Sequence, residues 1–293
     1  MAVRSMCGLS SVYRVGRPSA FPARKCAPDI TRARSKAIEA ADADRRDAVY
    51  RYMLGNWLPL TSEHGDALLG RRGLADTTIA SRLYASAPTP ARAREVCDGL
   101  ASRFSLEGVP GFFCTSGRWR LNFHDQNSPG ILIPVCDTCG RIAAIQVRRE
   151  ADADPRYVWL SSADKHRGVT SGAPIHFANA DLARRTGRAI ITEGALKADV
   201  CAEMLASCFI GVAGVDNFPS NFGASLRADL PELREVIVAY DADWRRNEAV
   251  RQAIIRLCAV LRAAGLHVRM WDWDISDGKG LDDYFLARER RVA

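Results

Sequence analysis

Residues 189–200, AIITEGALKADV, and residues 236–243, VIVAYDAD, decide how this chain folds. Each opens with a short apolar, largely β-branched run that shows no inside–outside alternation. The first run ends in Glu193-Gly194 and the second in Asp241-Ala242-Asp243. Such runs predict strands covered on both faces, and helical sequence follows each one. Together they read as βαβ units of a mainly parallel sheet. Ligands of open α/β sheets bind beyond the carboxyl ends of the strands, so carboxylates far apart in sequence are expected to meet on one rim. A third strand over His267–Trp271, after Gly265 at a helix C′ position, leads into Asp272, Asp274, Asp277, Asp282 and Asp283.

Outward from this region the chain has 293 residues, 47% hydrophobic and 26% charged, enough for two domains with their own cores or one large domain. The formal net charge of +7 favours an anionic partner. No apolar stretch approaches the roughly 18–20 residues that span a membrane, and no apolar core near residue 1 marks a secretory signal. A cytoplasmic protein with no membrane partner is expected. The nine cysteines are odd in number and scattered through apolar surroundings, as expected of reduced core thiols. Cys136 and Cys139 have zinc-like spacing but no second ligand pair, so Asp137–Gly140 is read as a hairpin turn and no zinc is expected.

Residues 1–43 are basic and rich in Pro and Ser, and read as a disordered arm. Helical patterns then run over 48–58, Ser62–Arg72, Asp76–Tyr84 with Asp76 as N-cap, and Ala91–Arg103. Residues 109–149 are β-rich, with turns at Ser116-Gly117, Ser128–Gly130 and Asp137–Gly140. The division that follows is a basic arm over 1–43, a mixed helical and β part over 44–180, and an α/β domain over 181–293.

The acidic ends suggest chemistry. Asp241 and Asp243, two apart, point the same way in extended backbone, and paired carboxylates call for a cation between them. Oxygen donors with no His or Cys close in sequence favour Mg²⁺ or Mn²⁺. Glu193, with Gly194 behind it to admit a phosphate backbone, is a candidate general acid or base, and Lys197 one turn on can neutralise a phosphate. Lys279 lies between two glycines, where a loop can wrap a phosphate.

Glu-Gly after a strand, Asp-x-Asp after a later one, and GKGLDD at 278–283 resemble the Toprim domain of bacterial primases, topoisomerases and some nucleases. From about 50 to 287 the chain resembles uncharacterised Toprim-like proteins of plasmids, phages and integrated elements. The resemblance rests on VPGFF (109–113), GILIPVCDTCGRIAAIQVRR (130–149), RYVWLSS (156–162), ITEGALKADV (191–200), VAYDAD (238–243) and GKGLDDYF (278–285). The order of elements is similar to the polymerase core of DnaG-type primases, in which Arg148 and Arg156 fall on functional basic positions. The resemblance implies a metal-dependent centre of Glu193, Asp241 and Asp243, with Asp282 or Asp283 as the third acidic contribution. Primases of this type carry Asp four residues after the Glu, where this chain has Lys197, closer to the topoisomerase and nuclease branches. Their zinc-binding module and any ATPase P-loop are not found in this sequence.

The implied reaction is attack of a 3′-hydroxyl on a nucleotide α-phosphate at a Mg²⁺ or Mn²⁺ site. Arg148, Arg149, Arg156, Lys165 and Arg167 would line a single-strand channel, with Trp119, Tyr157 or Trp159 as stacking platforms. Single-stranded DNA, nucleoside triphosphates and a separate replicative helicase are the expected partners. A Toprim nuclease and a non-catalytic nucleic-acid-binding accessory protein are the alternatives.

Overall fold

The computed structural model describes residues 38–123, 130–150 and 153–292. The expected basic arm lies outside these as far as residue 37, and so does most of the turn expected at Ser128–Gly130. Within the described residues, Ala41 is buried and its N–H donates to the Gly108 carbonyl at 2.7 Å. Asp42 accepts from the Arg45 N–H and so caps α1 (Ala43–Asn56).

Two short helices follow. In the first, α2 (Ser62–Asp66) runs on into a π-helical turn, Ala67–Arg71. The second, α3 (Asp76–Arg82), begins after Ala75 rather than at it, so Asp76 sits in the first turn instead of capping it. The Ala75 N–H is met from afar by the Glu203 carboxylate at 3.0 Å, and Asp76 favours the positive end of the helix from inside. After β1 (Ala85–Ser86), α4 (Pro90–Ala101) starts with Thr89 as cap and Pro90 at its first position.

The β-rich region forms a hairpin and a sheet. In the hairpin, β2 (Phe112–Thr115) and β3 (Arg118–Leu121) are joined by Ser116 and Gly117, both at positive φ, as a type I′ turn requires. The sheet contains β4 (Gly130–Cys136), β5 (Ile142–Arg149) and β6 (Tyr157–Trp159), antiparallel in the order β1-β4-β5-β6. Asp137–Gly140 turns between β4 and β5, where the Asp137 carboxylate accepts from the Cys139 and Arg141 N–H groups. Cys136 is buried and Cys139 exposed on this turn.

The second sheet holds β7 (His176–Ala178), β8 (Arg188–Glu193), β9 (Phe209–Val212), β10 (Glu235–Val238) and β11 (His267–Met270) in the order β11-β10-β8-β9-β7. All pairs are parallel except that of β7 with β9. Helices α5 (Ala180–Thr186), α6 (Ala195–Leu205), α7 (Phe222–Asp229), α8 (Glu248–Ala263) and α9 (Leu281–Val292) complete it. One face of the sheet, through Ile191, Val236 and Val238, packs on α7 and α8. The other, through Ile190, Phe209 and Ala239, packs on α6 and α9.

The two sheets meet at α6. Strand β4 is buried along its whole length: Leu132 and Cys136 join the core under α1 and α4, whereas Ile131, Ile133 and Val135 pack on Ala195, Leu196 and Val200 of α6. A polar contact crosses the same joint. Asp199 of α6, 2% exposed, accepts from Tyr84 Oη at 2.7 Å and His176 Nε2 at 3.1 Å, and forms an ion pair with Arg82, whose Nε lies 3.2 Å away. His176 Nδ1 accepts the Cys136 N–H at 3.0 Å, which leaves the proton on Nε2 for Asp199. Burial alone would raise the Asp199 pKa, but His176, Arg82 and Tyr84 hold it below its ordinary 3.8.

Candidate active site at the rim of the parallel sheet

Strands β8 and β10 are neighbours, with Ile191 opposite Val238 and the Ala239 N–H donating to the Ile191 carbonyl at 2.8 Å. Their carboxyl ends therefore lie side by side, which brings Glu193 to Asp241. The connection through α6 leaves β8 toward β9, while β10 lies on its other side, so the acidic ends stand where the winding of the sheet reverses.

Beyond β10 the chain departs from the extended backbone expected through Asp243. Asp241 instead immediately precedes a 3₁₀ turn, Ala242–Arg246, with its side chain free of any capping bond, and the two carboxylates take different lysines. Lys197 Nζ bonds Asp241 Oδ1, and Lys279 Nζ lies 2.9 Å from Asp243 Oδ2. The loop before α9 is tied to this turn by the Ala242 N–H, which donates to the Lys279 carbonyl at 2.9 Å. At the start of α9, Asp282 is 1% exposed and its Oδ2 accepts from Arg72 Nη1 at 2.7 Å, while Asp283 Oδ2 accepts the Gly280 N–H at 3.3 Å. Asp277 lies in the 3₁₀ turn Ile275–Asp277 that precedes this loop. Asp282 Oδ1 is buried and has no hydrogen-bond partner.

Two glycines bear directly on the rim. Gly194 has φ 85° and ψ 149°, a conformation L side chains avoid, and its N–H donates to Val212 at 2.7 Å. At Gly280, a Cβ would run into Asp282 Oδ1 and come within 3.1 Å of Lys197 Nζ. Lys197, Gly280 and Asp282 therefore pack together at the centre of the rim.

The charges are coupled. Burial and the Asp241 charge raise the Glu193 pKa above its ordinary 4.5, against the opposing pull of Lys197 and Lys279. Burial works against the charge on Lys197, but Asp241, Asp282 and Glu193 hold its pKa above the ordinary 10.5. The hydrogen bond to Asp243 raises that of Lys279.

A cavity of about 670 Å³ opens over this rim. Glu193, Gly194, Lys197, Asp241, Lys279, Asp282 and Asp283 form one wall, and Arg72, Arg156, Tyr157 and Trp159 of the other sheet's lobe face them. Asp243 stands beside this lining, held by Lys279. A second cavity of about 300 Å³ shares Arg72, Arg156 and Asp283 with the first and adds Arg71 and Arg148. A third, of about 70 Å³, adds Arg149. Arg148 is half-buried with its Nε unpartnered, and burial together with the nearby Arg156 and Arg72 lowers its pKa. Arg149 donates to the Pro155 carbonyl at 3.1 Å.

The remaining candidates lie elsewhere. Lys165 and Arg167 do not line these three cavities; Arg167 pairs with Glu107 at 2.7 Å and covers the Trp119 ring at 5.3 Å. Sequence reasoning missed Arg72, which stands 210 positions from the Asp282 it holds, and no local pattern marks it.

The carboxylate-only donor set fits a hard divalent cation, and the orphaned Asp282 Oδ1 supplies an oxygen that needs one. Among the described residues, however, no three His, Cys, Asp or Glu side chains already stand as a ligand set. The lysines and Arg72 hold three of the carboxylates.

The fold is similar to the catalytic core of DnaG primases. The Aquifex aeolicus primase (zinc-binding and RNA polymerase domains) aligns with TM-score 0.62 and 19% identity over 86% of this chain and 61% of that one. This chain thus spans less than two thirds of that protein. The RNA polymerase domain of Mycobacterium tuberculosis DnaG aligns with TM-score 0.62 and 17% identity, covering 86% of this chain and 82% of that one. A DnaG catalytic domain bound to single-stranded DNA aligns at 0.54 and 18%, over 86% and 80%. Residues 186–292 match a family model described as a domain of unknown function, DUF3854. None of the curated proteins compared matches the sequence. Among the described residues no helix is long and apolar enough to cross a membrane.

Proposed function

We propose that the chain is a primase-like, metal-dependent nucleotidyltransferase acting on single-stranded DNA. One observation carries the reading: in a fold similar to primase cores, the acidic ends of β8, β10 and the α9 loop face basic and aromatic side chains of the other sheet's lobe across one cavity. In this reading residues 181–293 are a Toprim domain and residues 44–180 a primase-core-like part that presents the template.

Asp241, Asp243, Asp282 and Asp283 are the groups that would hold Mg²⁺ or Mn²⁺, which when bound supplies Lewis acidity toward phosphoryl oxygens. Glu193, with its raised pKa, is the base for the proton of an attacking 3′-hydroxyl. Gly194 leaves open space where a side chain would keep phosphate from the rim, with nothing within 4 Å of the position its Cβ would take. Arg72, Arg156 and Lys279 offset the charge of the phosphates, and Tyr157 and Trp159 offer ring faces to bases. Arg148 and Arg149 continue the basic track into the smaller cavities. The expected setting is replication of a plasmid, phage or integrated element beside a separate helicase, and it rests on sequence resemblance alone.

A second reading, a Toprim nuclease, is favoured by Lys197 among the acidic groups, and there water replaces the 3′-hydroxyl. One experiment separates them. Purified protein is incubated with single-stranded DNA, labelled nucleotides and Mg²⁺ or Mn²⁺, beside an Asp241→Ala/Asp243→Ala control. Short products that vanish in the control support synthesis. Asp241-dependent degradation supports the nuclease, and binding with neither reaction supports an accessory protein.

A further inference from the structure

The rim carries cations of its own. Lys197 Nζ bonds Asp241 and packs against Gly280 beside Asp282, so its ammonium stands among three carboxylates, Asp241, Asp282 and Glu193. It is largely buried, its side chain 16% exposed, and cannot drift into solvent without leaving Asp241. Lys279, by contrast, is 62% exposed and meets only the outer carboxylate, Asp243. Asp282 Oδ1, buried and unpartnered, remains at the inner edge of the cluster. An acidic cluster without metal normally relieves its repulsion by protonation or by taking up a cation; here a lysine supplies the charge.

We propose that Lys197 is a resident counter-ion that excludes the divalent cation until a phosphate takes it over. The inference rests on the metal-dependent reading above and deepens it: metal uptake and nucleic-acid binding become one exchange. Lys197 must release Asp241 before that carboxylate can accept a divalent ion. A phosphate oxygen in the cavity gives the ammonium a new partner of the same sign as the one it leaves. The divalent ion takes the place of the ammonium among the carboxylates, and the ammonium moves onto the incoming anion, so that each charge keeps a counter-charge. The protein thereby stays unloaded without substrate, and Arg72 keeps Asp282 in place meanwhile.

The test is Mn²⁺ titration of the full chain, read by electron paramagnetic resonance of free Mn²⁺ and by calorimetry, with and without single-stranded oligothymidylate. The ions held by the strand alone are subtracted. In the wild type the strand tightens Mn²⁺ binding by at least about tenfold, as expected for removal of one partly screened ion pair. Lys197→Met tightens it by a similar factor without DNA, and adding the strand then gains little. Lys279→Met, at the exposed pair, changes it less. Equal Mn²⁺ affinity in wild type and Lys197→Met, or a strand effect of full size in that variant, overturns the exchange while leaving the metal reading intact. Absence of Mn²⁺ binding from every variant, with DNA present, sinks the metal reading and the exchange with it. Should Lys197→Met fail to fold by circular dichroism, the wild-type comparison still decides: no tightening by the strand refutes the proposal.

Discussion

Replacing Asp199 with alanine tests whether the joint between the sheets carries the site. The carboxylate is 2% exposed and receives Tyr84, His176 and Arg82 at 2.7, 3.1 and 3.2 Å. Its removal leaves the Arg82 guanidinium, 18% exposed, without its anion, and breaking such a buried pair from one side costs about 3–5 kcal/mol. At roughly 2–4 °C per kcal/mol for a chain of this order, a loss of about 4 kcal/mol lowers the melting temperature by about 8–16 °C. Thermal and urea unfolding at neutral pH, followed by circular dichroism, measure it. The pH dependence has a definite sign. The folded pKa lies below the ordinary 3.8, so the contribution is present above that value and is lost as pH falls through the folded one. The gap between wild type and variant should therefore close only in strong acid. A loss below about 1 kcal/mol at neutral pH would refute the reasoning, as would a gap that persists unchanged at the acid limit.

Glu193→Gln should abolish catalysis yet raise the melting temperature at neutral pH. The raised pKa of Glu193 means that its stabilising state is the protonated one, fully present below 4.5 and lost as pH rises, so the gain should vanish in acid. Gly280→Ala should cost about 1–3 kcal/mol in denaturant titration, because the new methyl runs into Asp282. Arg72→Ala leaves buried Asp282 unpaired and should cost about 3 kcal/mol; adding Asp282→Asn should recover most of this in the same unfolding assay. Arg148→Met should weaken single-strand binding about equally for all sequences and reduce the log–log salt slope by about 1, measured by fluorescence anisotropy.

What could be read from the sequence was what a strand and the turn after it encode locally. The apolar runs at 189–192 and 236–240 announced buried parallel strands, and the acids that end them lie where strand ends should place them. Asp243 shows the limit: two-residue spacing implies a shared direction only while the backbone stays extended, and a 3₁₀ turn begins at Ala242. The lysine partners were not legible, since Lys197 and Asp241 meet only because β8 and β10 are adjacent. Arg72 and the contacts of Asp199 depend on how two sheets dock, which no periodicity records. Nor could the sequence show that Arg167 pairs with Glu107 and covers Trp119.

Helix α6 has one more consequence. Its first turn carries Lys197 into the acidic rim, and its next carries Asp199 and Val200 into the joint with β4 and β7. A hinge that opened the cleft by parting the sheets would have to unpick this helix, and the rim would lose its lysine in the same movement. The spacing of the two walls and the position of the lysine are therefore set by one helix.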